Sequence, residues 1–195
     1  MTARLPGRIE DGPFVLRLWR GEDVEALHRA IHENLDHLAP WMAWISLEPL
    51  TLDQRLVLIE EWQTMWEDGA ATPMAMLFED EVVGGTGYVR REGHDATEIG
   101  YWVHVAHLGR GYATRAARLL TDAAFEVVGL PAIEIHHDKA NVLSARVPPR
   151  LGYQWAGERP DDIAAPGEIG IDCTWRMTRR QWKARGPETN RPGQA

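Results

Sequence analysis

The sequence predicts an α/β domain in which one mixed sheet of about six or seven strands packs against about four helices. Two observations predict this fold class. Alternating apolar and polar runs, typical of strands, are separated by segments in which apolar residues recur at helical spacing. No internal repeat or break in composition divides the 195 residues. We therefore expect one domain over residues 10–180, and a tail at 185–195 that has nothing to bury and is expected to be disordered.

The first part of the chain carries patterns for one strand and two helices. Residues 14–19 alternate and predict a strand, and apolar side chains at helical spacing predict a helix over 22–38. An aromatic loop that contains proline follows. Thr51 and Gln54 then form a capping-box pattern, which predicts a second helix that runs to about residue 68.

A hairpin, a strand and a third helix are predicted next. Residues 73–91 predict two strands joined by a tight turn at 79–81, and residues 97–105 alternate as a further strand. A helix is expected to follow Gly111 and to end at Gly129. Its predicted buried face consists of Ala116, Leu119, Leu120, Ala123 and Val127.

The last third of the chain predicts three more strands and a short helix. The strands are expected at 132–137, near 153–157 and at 173–178. The short helix is expected over 141–152, with Asn141 as its N-cap. Pro148 and Pro149 are expected to kink this helix or to end its regular hydrogen bonding.

Composition excludes several classes of protein. The net charge is −8 with both signs interspersed, whereas a nucleic-acid groove needs clustered lysine and arginine. This charge is consistent with a cationic substrate. No apolar run approaches the ~20 residues of a membrane span, and the N-terminus lacks a signal-peptide core, so we expect a cytoplasmic protein without membrane contacts. Cys173 is the only cysteine, which excludes an internal disulfide framework and a thiolate zinc site.

The stretch "HLGRGYATRAARLL" (107–120) places a glycine turn between a strand and an amphipathic helix, an arrangement typical of anion binding. The string G-x-x-x-x-G-K-[ST] of a P-loop does not occur. Gly109 and Gly111 match the first two glycines of a dinucleotide fingerprint, and Asp138 closes the next strand. Two features count against this fingerprint. Thr114 replaces the third glycine, and Glu98 makes the preceding strand polar on one face, whereas a central parallel strand is apolar on both faces. A dinucleotide-dependent oxidoreductase stays an alternative.

Two longer segments, "EIGYWVHVAHLGRGYATRAARLLTDAAF" and "IEIHHDKANVLSARVPPRLGY", closely resemble the GNAT superfamily of acyl-CoA-dependent N-acyltransferases. Within it, the chain resembles the RimJ and RimL branch of ribosomal-protein N-terminal acetyltransferases over residues 14–178, including "HLAPWMAW". The resemblance implies a mostly antiparallel sheet with a splayed strand pair. It also implies direct, sequential transfer of acetyl from the co-substrate acetyl-CoA to a primary amine, either a peptide N-terminus or a small amine.

The same resemblance implies where acetyl-CoA binds. The strand backbone around Val103 and Val105 would pair with the pantetheine arm, and Asn141 would lie beside the pantetheine or the diphosphate. The turn that would wrap the diphosphate consists of Leu108, Gly109, Arg110, Gly111, Tyr112, Ala113 and Thr114. Arg110 and Arg115 are expected as exposed cations. Ala106 stands where the family motif has Gln or Arg, which removes one polar contact.

Acyl transfer expels a thiolate, so a proton donor near the sulfur would help. Ser144 is the candidate, because Pro148 stands where some branches carry a tyrosine. Glu98 and His136 are candidates for the general base, as is a chain of waters. His136 and His137 alternate on a strand, so only one is expected to face the cleft. Asn141 acting only as a cap, and Glu98 only in an ion pair, remain open.

The acceptor side is less defined. Trp41 and Trp44 are expected to line it, or else to cap the core or to be buried at a dimer contact, and nine tryptophans more often serve packing than recognition. A cationic acceptor is expected from acidic residues on the first two helices, namely Glu33, Asp36, Glu60, Glu61, Glu67 and Asp68. Cys173 is a less favoured covalent nucleophile, because it follows the motif on a late strand.

No metal is expected, because His94 and Glu98 lack a third ligand at meaningful spacing. A monomer or a homodimer is expected. A module that binds acyl-CoA without catalysis stays a second alternative, since the family's tyrosine is missing.

Overall fold

A computed structural model of the chain describes residues 4–90 and 96–185. Within them the strands are β1 (Arg8–Asp11), β2 (Phe14–Leu18), β3 (Met74–Phe78), β4 (Glu81–Arg90), β5 (Thr97–Val103), β6 (Ala132–Asp138), β7 (Gln154–Pro160) and β8 (Ile171–Thr178). The helices are α1 (Val24–His32), α2 (Leu35–Leu38), α3 (Leu52–Asp68), α4 (Tyr112–Ala123), α5 (Val147–Arg150) and α6 (Arg179–Ala184). The strands form one sheet in the order β1-β2-β3-β4-β5-β6-β8-β7. Among the described strand pairs, β5 with β6 is the parallel one.

The predicted mixed α/β fold is confirmed, and the sheet has one strand more than the upper expected number. The additional strand, β1, pairs antiparallel with β2 at the edge of the sheet. Its sequence, RIED, contains a single apolar residue, so it carries no hydrophobic alternation from which a strand can be predicted. Edge strands need less apolar surface because one side of the strand has no neighbour.

Two apolar layers lie on opposite faces of the sheet. One layer packs α4, α5 and α6 against the sheet, and the other packs α1, α2 and α3 against the opposite face. Successive side chains on a strand point to opposite faces, so β5 contributes to both layers. Ile99, Tyr101 and Val103 pack in the α4 layer, whereas Trp102 packs in the α1 layer.

The helix expected over 22–38 is interrupted at Asn34. α1 ends at His32 and α2 begins at Leu35, with a turn between them. The Asn34 side chain is buried, donates to the carbonyl oxygen of Ala30 (2.6 Å) and accepts from the backbone N–H of Val105 (2.6 Å). An asparagine that bonds nearby backbone competes with regular helix, which explains the break.

Other boundaries follow the sequence closely. The Thr51–Gln54 capping box is present at the start of α3, with Gln54 N donating to Thr51 Oγ1 at 3.2 Å. The β3–β4 turn places Glu79 and Asp80 at φ 50° and 65°, which is typical of a tight hairpin. Gly129 ends the helical segment after α4 in the left-handed region, as expected.

Val127 was expected on the buried face of α4 and is 52% exposed, so that expectation is wrong. Residues Ala124–Val128 wind as a π-helical turn, which rotates the later side chains away from the face that the α-helical spacing predicts. The other four residues of the predicted face are buried. Within residues 4–90 and 96–185, no helix combines the length and apolar character needed to cross a membrane. The expected tail lies outside the described residues from 186 onward.

Replacing Asn34 tests its structural role. Asn34→Ala leaves the Val105 N–H without its partner, and we expect the free energy of unfolding to fall by about 1–3 kcal/mol. Urea denaturation measures this change. Gln154→Ala, which removes an exposed amide that contacts Gly152, is the control and should have little effect. An unchanged stability of Asn34→Ala would contradict the assigned role.

Candidate active site

β5 and β6 separate soon after they begin to pair. Their parallel register joins Thr97 to Ile133 and Glu98 to Glu134, and the ladder ends there. β5 then continues along β4 as far as Val103, while β6 continues along β8. The predicted splayed pair is therefore present, and it leaves backbone groups of two facing strand edges available for a ligand.

A cleft of about 810 Å³ lies at this gap and is lined from both faces of the sheet. On the α4 face the lining includes Leu108, Ala113 and Ser144. On the α1 face it includes Leu27 and Trp102. Two molecules that approach from opposite faces of the sheet could therefore meet in the gap.

The glycine turn before α4 has the geometry of an anion site. Gly109 and Gly111 lie at φ 74° and 79°, a region that residues with side chains rarely adopt. A Cβ at either position would meet no protein atom within 4 Å, so the space beside the turn is open. Gly111 is the N-cap of α4, and no side chain of the described residues caps the helix there. The first amides of α4 are left to bind an anion such as a diphosphate.

Two residues of the expected cofactor site are engaged elsewhere. Arg115 was expected as an exposed cation, but its Nε donates to Asp11 Oδ2 at 2.6 Å and its guanidinium lies 5.0 Å from the Phe14 ring centroid. That expectation is wrong, because β1, which carries Asp11, was not predicted. Tyr112 is buried and stacks on Phe14, so only its backbone belongs to the turn. Arg110 is exposed, as expected.

Val103 and Val105 have different surroundings. Val103 ends β5 and lines the cleft. Val105 lies beyond the strand in a short 3-10 turn, and its N–H donates to Asn34. The Val105 N–H is therefore already bonded within the protein and does not offer a donor to pantetheine.

Asn141 and Ser144 both line the cleft. Asn141 Oδ1 accepts from the backbone N–H of Ser144 at 3.1 Å. The helical turn begins only at Ser144, with Leu143 as its N-cap, so the expected helix start at Asn141 is wrong. A 3-10 turn at 144–146 precedes α5, and Pro148 stands in the first turn of α5. A helix needs no backbone donors in its first turn, so the prolines begin the α-helical turn rather than kink it.

Tyr101 is a member of the site that the sequence did not single out. Its hydroxyl lies 3.1 Å from the Ser144 Oγ, on the α4 face of the gap. Burial raises the pKa of Tyr101 to about 12, partly offset by the hydrogen bond with Ser144. The phenol is therefore protonated at neutral pH and carries a proton that it can donate. Tyr101 shares one face of β5 with Ile99 and Val103, and this alternation in the sequence could have identified it as a residue of the site.

The opposite face of the gap carries Glu98 and His136. Glu98 faces away from Ile99 and lines the cleft. The His136 ring is held through both nitrogens, with Nδ1 3.0 Å from Asp172 Oδ2 and Nε2 3.2 Å from Glu134 Oε2. Burial lowers the pKa of His136, but the hydrogen bond with Asp172 and the charge of Glu98 outweigh it, and the net pKa is raised.

The family model of the acetyltransferase (GNAT) domain matches residues 14–154. The chain belongs to the GNAT acetyltransferases. YdaF of Bacillus subtilis (strain 168), provisionally named a ribosomal N-acetyltransferase, is 26% identical over 176 residues, which are 87% of this chain and 93% of that protein. The resemblance to the branch of ribosomal-protein acetyltransferases is thereby confirmed.

Solved structures of acetyltransferases share the fold. The microcin C7 self-immunity acetyltransferase MccE, in complex with acetyl-CoA and AMP, superposes with a TM-score of 0.81 at 17% identity, covering 90% of this chain and 98% of that one. RimL, the ribosomal L7/L12 alpha-N-protein acetyltransferase in complex with coenzyme A, gives 0.79 at 17% identity, covering 89% and 97%. At this identity the two structures show a common fold.

In this acetyltransferase both neighbouring histidines contribute to the cleft, so the expectation that only one would is wrong. The His137 ring accepts from the indole N–H of Trp175 at 3.1 Å, and Trp175 packs in the α4 layer. The gap beside β6 leaves both faces of this strand open to the cleft, which is why alternation does not exclude either residue.

The acidic residues named from the first two helices do not line the cleft of the acetyltransferase as far as the structure describes it. Glu33, for example, contacts His104 at 3.1 Å. The carboxylates that do line the cleft are Glu48, Glu98, Asp138, Asp161, Asp162, Glu168 and Asp172. Carboxylates therefore do line the cleft, but they come from other elements than the sequence indicated.

The structure argues against Cys173 as a nucleophile and against Asp138 as a ribose-binding residue. Cys173 is buried, and burial raises the pKa of its thiol, which disfavours the nucleophilic thiolate. Asp138 accepts from the backbone N–H groups of Ala140 (2.8 Å) and of the segment 169–171, so it serves the loop structure rather than a ribose. Within residues 4–90 and 96–185, no group of three histidine, cysteine or acidic residues could hold a metal ion, and His94 lies outside them.

Stability should depend on pH through His136. Since its folded pKa is above the ordinary 6.5, the charged ring stabilises the fold below that value, and this contribution is lost as the pH rises through the folded pKa. His136→Gln should therefore destabilise the protein more at about pH 5.5 than at about pH 9. Urea denaturation at both pH values measures it. His32→Gln, on the exposed side of α1, is the control, and an equal loss at both pH values for His136→Gln would contradict the assignment.

Proposed function

We propose that this GNAT protein transfers the acetyl group of acetyl-CoA to a primary amine by direct attack. The observation that carries the proposal is the cleft at the β5–β6 gap, with the Tyr101–Ser144 hydroxyl pair on one face and the Glu98–His136 cluster on the other. The complexes of MccE with acetyl-CoA and of RimL with coenzyme A support the choice of donor. Direct attack is favoured because the buried Cys173 does not line the described cleft.

The donor would bind on the α4 face of the sheet. Acetyl-CoA supplies an activated thioester and a diphosphate when bound. The open turn at Gly109 and Gly111 and the first amides of α4 fit the diphosphate, and the unpaired edge of β5 near Val103 fits the amide groups of pantetheine. Because neutral backbone amides supply these contacts, a protein of net charge −8 can bind a polyanion.

Tyr101 and Ser144 would supply the proton that the departing thiolate needs. The two hydroxyls lie 3.1 Å apart, so one of them can donate to the sulfur while the second donates to the first. The raised pKa of Tyr101, about 12, keeps its hydroxyl protonated at neutral pH, so that it can donate a hydrogen bond to the negative charge that develops on the sulfur. The pair replaces the tyrosine that other branches carry at the position of Pro148.

Glu98 would accept the proton of the amine on the α1 face. It lies on the gap side of β5, at the last residue that still pairs with β6. Both nitrogens of His136 are engaged by carboxylates, which leaves the ring no free site for the amine proton. We therefore assign His136 a positioning role, in which its positive charge balances the neighbouring carboxylates.

The acceptor would be a peptide N-terminus or a small amine. The name of the Bacillus subtilis relative, a ribosomal N-acetyltransferase, supports the first. The carboxylates that line the cleft would favour an acceptor with positive charge.

Ligand-induced thermal shifts, followed by thiol release with a panel of amines, test the function. Acetyl-CoA should stabilise the protein, NAD and NADP should not, and amines should release coenzyme A. Gly109→Val should raise the apparent Kd for acetyl-CoA about 10-fold or more, because valine resists the positive φ and fills the space of the diphosphate.

Gly69→Val is the matched control for this substitution. Gly69 has φ 71° and also meets no atom within 4 Å, but it ends α3, so the same backbone strain is introduced away from the turn. Equal losses of acetyl-CoA binding in the two variants would contradict the assigned diphosphate site. If acetyl-CoA binds but no amine releases coenzyme A, the protein is instead a module that binds acyl-CoA without catalysis.

Removal of the hydroxyls tests the leaving-group role. Tyr101→Phe and Ser144→Ala should each lower kcat about 10-fold or more with little change in acetyl-CoA affinity. The double variant should lose little more than either single variant, because the two hydroxyls act as a unit. Tyr153→Phe, which breaks the buried hydroxyl pair with Thr121 (2.7 Å), is the control. Full turnover in the double variant would show that the thiolate leaves without these groups.

A further inference from the structure

The tryptophans are concentrated on one wall of the cleft. The chain has nine, and five of them line the cleft. They are Trp19, Trp41, Trp44, Trp62 and Trp102. Three come from the segment between α1 and the end of α3, Trp19 directly follows β2, and Trp102 is the β5 residue that points into the α1 layer. Composition alone favoured a packing role, whereas this arrangement makes one indole-rich surface at the acceptor side of the gap.

Gly85 makes room for one of these indoles. A Cβ at Gly85 would lie 2.5 Å from Nε1 and 2.9 Å from Cε2 of Trp102, closer than nonbonded atoms approach. Gly85 is not among the glycines with positive φ, so its backbone conformation does not require glycine. The missing side chain instead lets the Trp102 ring lie against β4 and leaves the cleft above it open.

The outer part of the same wall is exposed to solvent. Trp44 is 36% exposed and Leu47 is 69% exposed, and both line the cleft. Deeper in the wall, Trp19 and Trp62 contact each other with ring centroids 6.4 Å apart. The wall therefore continues from a buried floor to an exposed rim, as a binding surface for a large apolar group does.

The base of this wall contains a buried guanidinium. Arg55 is 1% exposed and its Nη2 donates to Glu48 Oε2 at 2.8 Å, while its Nε has no hydrogen-bond partner among the described residues. Arg55 and Glu48 both line the cleft. This ion pair is internal, so an acceptor would meet the indoles rather than the guanidinium, and an aromatic ring can stack on an indole whereas a small aliphatic side chain cannot.

We propose that the acceptor is a primary amine that carries an aromatic group close to the amine. The inference rests on the proposed function and names the acceptor class. The ring would lie on the indole wall, and the amine would point toward Glu98, which lies on the same face of β5 as Trp102. An aromatic side chain buries about 150–250 Å², far more than alanine or serine could cover of this wall. The same chemistry occurs at a peptide that begins with phenylalanine or tryptophan and in a free arylalkylamine.

Paired acceptors test the inference in the full-length protein with acetyl-CoA. Two peptides that differ only in a first residue of Phe or Ala, and the free amines 2-phenylethylamine and propylamine, are compared by kcat/KM for thiol release. The aromatic member should exceed its partner roughly 10-fold or more in at least one pair. If only the peptides show the aromatic preference, the acceptor amine is a peptide N-terminus. If only the free amines show it, the acceptor is a small molecule.

Variants of the exposed rim make the test specific. Trp44→Ala should reduce the aromatic preference severalfold with little change in acetyl-CoA binding, whereas Trp44→Phe should retain most of it. Trp155→Ala is the matched control, because that indole is 49% exposed on β7, contacts Trp175 and is not part of the described lining. Gly85→Ala, which displaces the Trp102 ring, should lower kcat/KM for the aromatic acceptors more than for the small ones.

The outcomes separate the inference from the function on which it rests. If acetyl-CoA stabilises the protein and neither pair shows an aromatic preference, or no aromatic amine reacts, the acceptor class is wrong and the donor assignment stands. A preference that Trp44→Ala leaves unchanged also overturns the assignment to this wall. If acetyl-CoA fails to stabilise the protein, the proposed function itself fails.

Discussion

The separation of β5 from β6 after the Glu98–Glu134 pair is the constraint on which the site depends. Each strand keeps a partner on its other side, β4 for β5 and β8 for β6, so the gap removes hydrogen bonds from one edge only. Along β5, Glu98 and Tyr101 are three residues apart and therefore point to opposite faces. The gap thus places an acidic group and a hydroxyl group on the two sides of one opening.

The sheet also separates two electrostatic environments. On the α4 face, uncapped amides and a glycine turn offer partial positive charge without ionised side chains. On the other face, Glu134 and Asp172 enclose His136, and Arg176 and Arg159 contact these carboxylates at 2.5 and 3.2 Å. The α4 face therefore suits the anionic donor of the proposed reaction, whereas the carboxylates around His136 on the other face are already paired with cationic side chains.

The sequence predicted those parts of the protein that local patterns encode. Helix caps such as Thr51, the hairpin turn and the glycine turn before α4 need only neighbours a few residues away. Contacts between distant segments could not be found in this way. Tyr101 meets Ser144 across 43 residues, and Arg115 meets Asp11 across 104. His136 could be placed near the site by its strand, but its charge state depends on Asp172, which lies 36 residues further along the chain.

The helix break at Asn34 has a mechanical consequence. Leu27 and Ile31 of α1 line the cleft on the α1 face, and the turn at Val105 leads directly to Leu108 and the glycine turn before α4. One side-chain amide, with hydrogen bonds of 2.6 Å on each side, connects these two segments across the end of the sheet. A displacement of α1 would therefore be transmitted through this amide to the segment before the glycine turn or would break one of these bonds, so the two walls of the cleft are mechanically coupled.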